Sequence, residues 1–240
     1  MANRRKRRAR RKQNSLEPSG SWWEEYSWLL LIGTGLLVIV AFIAWKELRI
    51  PLGNPINNPA LMEQSRPFEI LYGDKNAPVT IIEYASLTCG SCKHFHEGVV
   101  KPIESSYIRN DQVRYIFRHY PLNAPALDGA LLLSCLPAEK AKPVIDILFV
   151  HQDIWARADK PQDHLRDYFK TAGMSAEDIQ SCLDDDQRRE AIVAEQQTAR
   201  ESLNISSTPT VFINGRLYTG QKHLKAINRV IDILLERSEG

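Results

Sequence analysis

The stretch Val79-Thr-Ile-Ile-Glu-Tyr-Ala-Ser-Leu-Thr-Cys-Gly-Ser-Cys-Lys-His-Phe-His96 decides the fold. Its first seven residues are rich in β-branched side chains and follow the turn-like Asn76-Ala-Pro78, so 79–85 reads as a buried strand. Beyond the cysteines, Phe95, Val99, Ile103 and Tyr107 recur every four residues, as on one face of a helix. Pro102 is expected to kink that helix. Cys89 and Cys92 therefore stand where a strand feeds a helix. At a helix N-terminus, unpaired N–H groups and the positive end of the dipole favour a thiolate at Cys89. Cys92, one turn on, is within disulfide reach. Such a pair can exchange disulfides with a substrate through a mixed-disulfide intermediate. The same spacing makes half of a zinc site, but the chain has no second C-x-x-C and no H-x₃₋₅-H to complete one.

Working outward, Gln112-Val-Arg-Tyr-Ile-Phe-Arg118 reads as a second strand. From about 124 to 203 no strand pattern appears, only short helical runs punctuated by Pro137, Pro143, Pro161 and Gly173. Strand character returns at Pro209-Thr-Val-Phe-Ile213. Asn214-Gly215 signals a type I′ hairpin into Arg216-Leu-Tyr-Thr219. A last helix is expected over about 221–237, with Leu224, Ile227, Val230, Ile231 and Leu234 on one side. The order strand, helix, strand, helical insert, hairpin, helix closes most naturally as a mixed sheet with helices on both faces.

The N-terminal quarter is different in kind. Residues 1–12 hold eight Lys or Arg and no acid, which leaves 23 basic against 29 acidic residues in the remainder of this 240-residue chain. The overall charge of +2 thus averages a basic arm and a mildly acidic body. Hydrophobic residues at 43% and charged residues at 25% exclude a disordered or collagen-like chain. Trp28 to Trp45 is an uncharged run of 18 residues, about 27 Å as a helix. Trp22, Trp23, Tyr26 and Trp28 flank one end and Trp45 the other, as interfacial aromatics do. The run reads as an uncleaved membrane anchor. A buried core helix or a cleaved signal peptide are the alternatives, and Ile43-Ala44-Trp45-Lys46 fits cleavage poorly. The Lys/Arg bias keeps the arm cytoplasmic and sends the rest across the membrane. The expected organisation is a basic arm and interfacial segment over 1–27, a transmembrane helix over 28–45, a Pro/Asn-rich linker over 46–67 and a folded domain over 68–240.

Three stretches in order carry a family resemblance: the segment 79–96, Phe117-Arg-His-Tyr-Pro-Leu122, and Ser207-Thr-Pro-Thr-Val-Phe-Ile-Asn-Gly215. Together they resemble the membrane-anchored DsbA-like thiol:disulfide oxidoreductases of the thioredoxin superfamily. The resemblance implies an α/β thioredoxin fold with an inserted helical domain, here preceded by a single transmembrane helix. It implies that Cys89 is the exposed nucleophile and Cys92 the buried resolving thiol. It casts Pro209 as a cis-proline facing the disulfide and Thr208 as the residue whose backbone pairs with substrate. Glu83 matches an acid that assists proton transfer at the resolving cysteine; burial would raise its pKa toward neutrality. From the residues alone, Glu83 could equally face outward on an edge strand. The Gly-Ser between the cysteines departs from the Pro-His of strongly oxidising members. Ser91 offers Cys89 less stabilisation than an imidazolium, so a milder oxidant is expected.

A subset of the family has a second disulfide in the insert, which assigns Cys135 to Cys182; two free buried thiols are the alternative. Closing that loop would stabilise by about 4 kcal/mol on the chain-entropy model. No cofactor beyond the redox-active disulfide and no metal is implied. The implied partners are exported cysteine-containing polypeptides and a membrane re-oxidase of the quinone-linked type, with no nucleic acid. The implied location is a bacterial inner membrane, with the C-terminal domain in the periplasm. Disulfide isomerase or reductase, and a copper-type metallochaperone using the same cysteines with His96, are the alternative functions. His94 lies two residues from His96 and so points elsewhere on a helix.

Overall fold

The structure is a computed structural model that describes residues 22–48, 50–55 and 65–238, with side chains from 29 to 42 in the first stretch. The basic arm and residues 56–64 of the expected linker lie outside the described residues. The chain divides into a unit ending at Ile50 and a second from Pro51 to Gly240.

In the first unit, Trp22–Leu48 forms one α-helix (α1). Its described side chains, Leu29 to Phe42, are exposed. Among the described residues, no helix is long and apolar enough to cross a membrane.

The second unit is built on a six-stranded mixed sheet, in the order β1-β6-β5-β3-β4-β2. Its strands are β1 (Leu52–Pro55), β2 (Ile70–Tyr72), β3 (Val79–Ala85), β4 (Val113–His119), β5 (Thr210–Ile213) and β6 (Arg216–Tyr218). Central β3 runs parallel to β4, with Glu83 opposite Phe117, and antiparallel to β5. Asn214 (φ 45°) and Gly215 (φ 71°) both take the left-handed conformation that a type I′ turn demands. The Asn214 side chain also caps the neighbouring strand, accepting a 2.7 Å hydrogen bond from the Thr80 N–H.

Two strands escape the sequence reading. β1 falls inside the expected linker 46–67, which therefore ends earlier than its composition implies. Gly53 and Pro55 look like linker residues, but β1 is an edge strand, where proline's missing N–H costs nothing. Arg216 Nε donates to the Gly53 carbonyl at 2.8 Å, and Thr219 N–H to the Pro51 carbonyl at 2.9 Å. Short β2 pairs antiparallel with β4 at the other edge. Three residues are too few for alternation to show.

The helix after Cys89 is α2 (Gly90–Phe95), a π turn (His96–Val100) and α3 (Lys101–Ser106) in succession. Where a kink at Pro102 was expected, a π turn stands immediately before the helical turn that carries the proline. Pro102 then sits in the first turn of α3, where its N–H is not needed. The insert spans α4 (Ala124–Ser134), α5 (Ala138–Val150), α6 (Gln152–Trp155), α7 (Pro161–Thr171), α8 (Ala176–Leu183) and α9 (Asp186–Ser202). Helix α10 (Leu224–Ser238) closes the chain.

Strand alternation separates two layers. Ile82, Tyr84, Ile116 and Phe212 pack on one face with Ala199, Leu203 and Ile205. Ile81, Glu83, Tyr115 and Phe117 point to the other, the face that takes Phe149 of the insert at 6.2 Å ring-to-ring from Phe117. Each such aromatic or aliphatic side chain contributes about 1.5–3 kcal/mol by leaving water.

Candidate active site

Cys89 is the N-cap of α2, with extended backbone (φ −86°, ψ 118°). Its carbonyl already accepts from the Cys92 and Lys93 N–H groups at 3.1 Å. Its thiol is partly exposed and donates to the Thr208 carbonyl at 3.4 Å. Hydrogen bonding from the Cys92 side chain, together with that from the Thr208 side chain and the first-turn amides of Cys92 and Ser91, outweighs burial and lowers the Cys89 pKa to about 5. Cys92 is wholly buried. Burial, its bond to Cys89 and the Glu83 charge push its pKa far upward. The two thiols thus differ sharply: the outer ionises readily and the inner holds its proton.

The Thr208–Pro209 peptide is cis. A cavity of about 530 Å³ opens beside it, lined by Ser91, His94, Phe95, Thr208, Pro209 and Lys222. Extended backbone could lie along the Thr208 edge of this cavity.

Glu83 is fully buried on the central strand β3 and does not face outward on an edge strand. Burial raises its pKa to about 8, although a hydrogen bond from Tyr115 pulls the other way. Tyr115 Oη donates to Glu83 Oε2, while Oε1 has no partner. His119 lies at the end of β4 beside the Phe117 ring, and burial lowers its pKa to about 4.

The insert reaches the site through Gln152. Its buried amide donates to the carbonyls of Leu87 at 2.8 Å and Cys89 at 3.0 Å. Lys93 adds bonds to Asp153 at 2.8 Å and to the Val150 carbonyl at 3.3 Å. Neither Tyr115 nor Gln152 stood out in the sequence. Tyr115 could have been found by pairing the strands, which sets it two residues before the partner of Glu83. For Gln152 no local signal exists, because its role depends on where the insert docks.

The two histidines beyond Cys92 each have another hydrogen-bond partner. His94 Nδ1 bonds the Gly90 carbonyl at 2.8 Å, and buried His96 bonds Asp146 at 2.7 Å while stacking on Phe149. Among the described residues no group of three or more His, Cys, Asp or Glu side chains is placed to hold a metal. In the insert, Cys135 at the end of α4 is disulfide-bonded to Cys182 of α8, with 6.4 Å between their Cα atoms.

A C-x-x-C at the start of a helix, facing a cis-proline on a thioredoxin-like sheet, defines a class of dithiol redox proteins. The thioredoxin family model Thioredoxin_4 matches residues 65–233, and the chain belongs to that family. Within it, the chain is a DsbA-like thiol:disulfide oxidoreductase. It is 29% identical to the crystal structure of Wolbachia pipientis alpha-DsbA1, with a TM-score of 0.70, covering 75% of this chain and 98% of that one. The oxidised BdbD of Bacillus subtilis shares the fold at 20% identity and a TM-score of 0.65, over 77% of this chain and 97% of that one. The Rickettsia conorii protein named "Putative protein-disulfide oxidoreductase RC0029" is 26% identical over 199 residues, 80% of this chain and 72% of that protein.

Proposed function

We propose that this protein is a dithiol oxidase that introduces disulfides into exported polypeptides through Cys89 and Cys92. One observation carries the reading: Cys89 stands partly exposed at the N-terminus of α2, in surroundings that favour its thiolate, beside a buried Cys92 whose surroundings favour the thiol. Stabilising the outer thiolate stabilises the reduced dithiol, and this makes the disulfide the better oxidant. The depressed pKa favours an oxidase over an isomerase or reductase.

In the oxidised protein, a substrate thiolate attacks Cys89 Sγ and the Cys89–Cys92 bond breaks. Cys92 leaves with the electron pair and takes a proton from Glu83. The second substrate thiolate attacks the substrate sulfur of the mixed disulfide, and Cys89 leaves as a thiolate. The substrate has gained a disulfide and the protein holds two electrons. A membrane re-oxidase of the quinone-linked type removes them. Thr208 and Pro209 present the edge along which the substrate backbone lies. The chemistry needs no cofactor besides the cysteine pair.

The working location is the periplasmic face of a bacterial inner membrane, with residues 28–45 as anchor and the basic arm in the cytoplasm. The Lys/Arg asymmetry around that run and a bonded Cys135–Cys182 pair both support an oxidising compartment.

The test supplies reduced, unfolded protein in excess with a chemical oxidant. Multiple turnovers that vanish in Cys89→Ser are expected. Repair of a scrambled substrate without net oxidation would replace this reading with isomerisation. A reporter enzyme that folds only in the periplasm, fused after residue 238, tests location. Activity only in a cytoplasmic reporter would remove the export reading.

A further inference from the structure

Buried carboxyl groups of this kind have two oxygens, and the chemistry at Cys92 needs one of them free. Glu83 is wholly enclosed, and its two oxygens are not equivalent. Oε2 accepts the Tyr115 hydroxyl, while Oε1 is buried without a partner. An oxygen accepting from a phenol is a poor place for a second hydrogen on the same side. When Glu83 is protonated, its hydrogen is therefore directed to Oε1. Tyr115 is itself fully buried, and its ring is held edge-on by Tyr72 at 5.3 Å between centroids. The hydroxyl has little freedom to turn elsewhere.

We propose that Tyr115 is a positioning residue of the redox reaction, its hydroxyl fixing Glu83 so that Oε1 is the oxygen that exchanges a proton with Cys92. The proposal rests on the reading of Glu83 as proton partner of Cys92. Tyr115 does not give up its own proton: burial, then the charge of Glu83, raise its pKa well above the ordinary value. It acts only as a donor, in both halves of the cycle. During oxidation of a substrate, Cys92 leaves and the proton passes from Oε1 to its Sγ. During re-oxidation, the Glu83 carboxylate takes that proton back through Oε1 as Cys92 Sγ attacks.

Other titratable groups around this pair come from several elements. Cys89 and Cys92 stand on α2, Tyr72 on β2, and His119 on the Tyr115 side of β4. Asp146 and Glu104 bear on Tyr72 and are themselves held by Lys101. His96 of the π turn is occupied by Asp146. The Glu83 carboxylate accepts its hydrogen bond from the Tyr115 hydroxyl.

The experiment follows the reduced full chain reacting with an aromatic disulfide reagent that releases a coloured thiolate. In the first phase, Cys89 attacks the reagent and one thiolate leaves. In the second, Cys92 attacks the mixed disulfide at Cys89 and releases the other. Tyr115→Phe removes only the hydroxyl. It is expected to leave the first phase unchanged and to slow the second about tenfold at pH 7. The rising limb of the second phase should move up by about one to two pH units, the size of a lost charge-assisted hydrogen bond. In a Glu83→Gln background the same change should slow the second phase no further. A packing defect would alter Tm or both phases without moving that midpoint. Should Tyr115→Phe not fold, 3-fluorotyrosine at 115, a stronger donor of nearly the same shape, is expected to move the midpoint down. An unmoved midpoint in either variant, or additive slowing with Glu83→Gln, overturns the proposal. A wild-type protein lacking the second phase altogether would instead overturn the redox reading beneath it.

Discussion

Two pairs of cysteines in this molecule do opposite things with the same chemistry. Cys89 and Cys92 are separated by two residues and sit at the mouth of a helix, where hydrogen bonds pull the outer thiol toward its thiolate. Cys135 and Cys182 are 47 residues apart and bind two helices of the insert together. The short loop confines little chain entropy, so its bond is governed by how well each thiol carries charge. The long loop confines much of it, so its bond is governed by what opening it would release. Sequence separation and local electrostatics, and not the cysteines as such, set one pair to react and the other to hold.

The largest expected contrast comes from removing each pair. Cys89→Ser should bring thiol–disulfide exchange to background while the fold survives, read by turnover and circular dichroism. The double variant Cys135→Ala/Cys182→Ala should keep turnover and lose stability. A loss of about 2–5 kcal/mol, or about 5–15 °C in Tm for a domain of this size, is expected by calorimetry. If the double variant lost turnover at full stability, the division of labour between the pairs would be broken.

A pH series sharpens the comparison. In the reduced protein the Cys89 pKa falls to about 5 from 9.0. A depressed acid contributes stability that is complete above its unfolded pKa and is lost as pH falls through the folded one. The Tm of the reduced form, relative to the oxidised form, should therefore rise from pH 5 to pH 9 and flatten below 5.

Glu83 should behave with the opposite sign. Its folded pKa is raised, to about 8 from 4.5. Its contribution is therefore present below pH 4.5 and is lost as pH rises toward 8. Glu83→Gln should leave Tm unchanged at pH 4 and raise it by about 10 °C at pH 8, while slowing turnover. Equal Tm values at the two pH values would show that Glu83 is not buried as described.

The smallest expected effect is that of Gln152→Ala. It removes two bonds to the Leu87 and Cys89 carbonyls and should cost about 1–2 kcal/mol, read by denaturant titration. The kinetics of Cys89 should change more than those of a distant probe.

The central strand, the helix after it and the hairpin were legible because each has a local rule: β-branched residues, a four-residue period, Asn-Gly. The edge strands were not. Leu52–Pro55 pairs through its backbone and so leaves little side-chain pattern, and Ile70–Tyr72 is too short to show one. The same divide runs through the site. Cys89 and Cys92 announce themselves by spacing. The environment of Glu83 depends on Tyr115 across a parallel strand pair, and Gln152 arrives from an insert whose docking no local rule fixes. The membrane span rests on sequence alone, because the described side chains of α1 stop at Phe42.

One amide group has a mechanical consequence. Gln152 holds the backbone of the nucleophile from a helix that belongs to the insert, 63 residues along the chain from Cys89. A rocking motion of the insert against the sheet would drag on the very peptide that carries the reactive sulfur. Whatever grips those helices from outside thus has a lever on the reactivity of the thiol, without touching it.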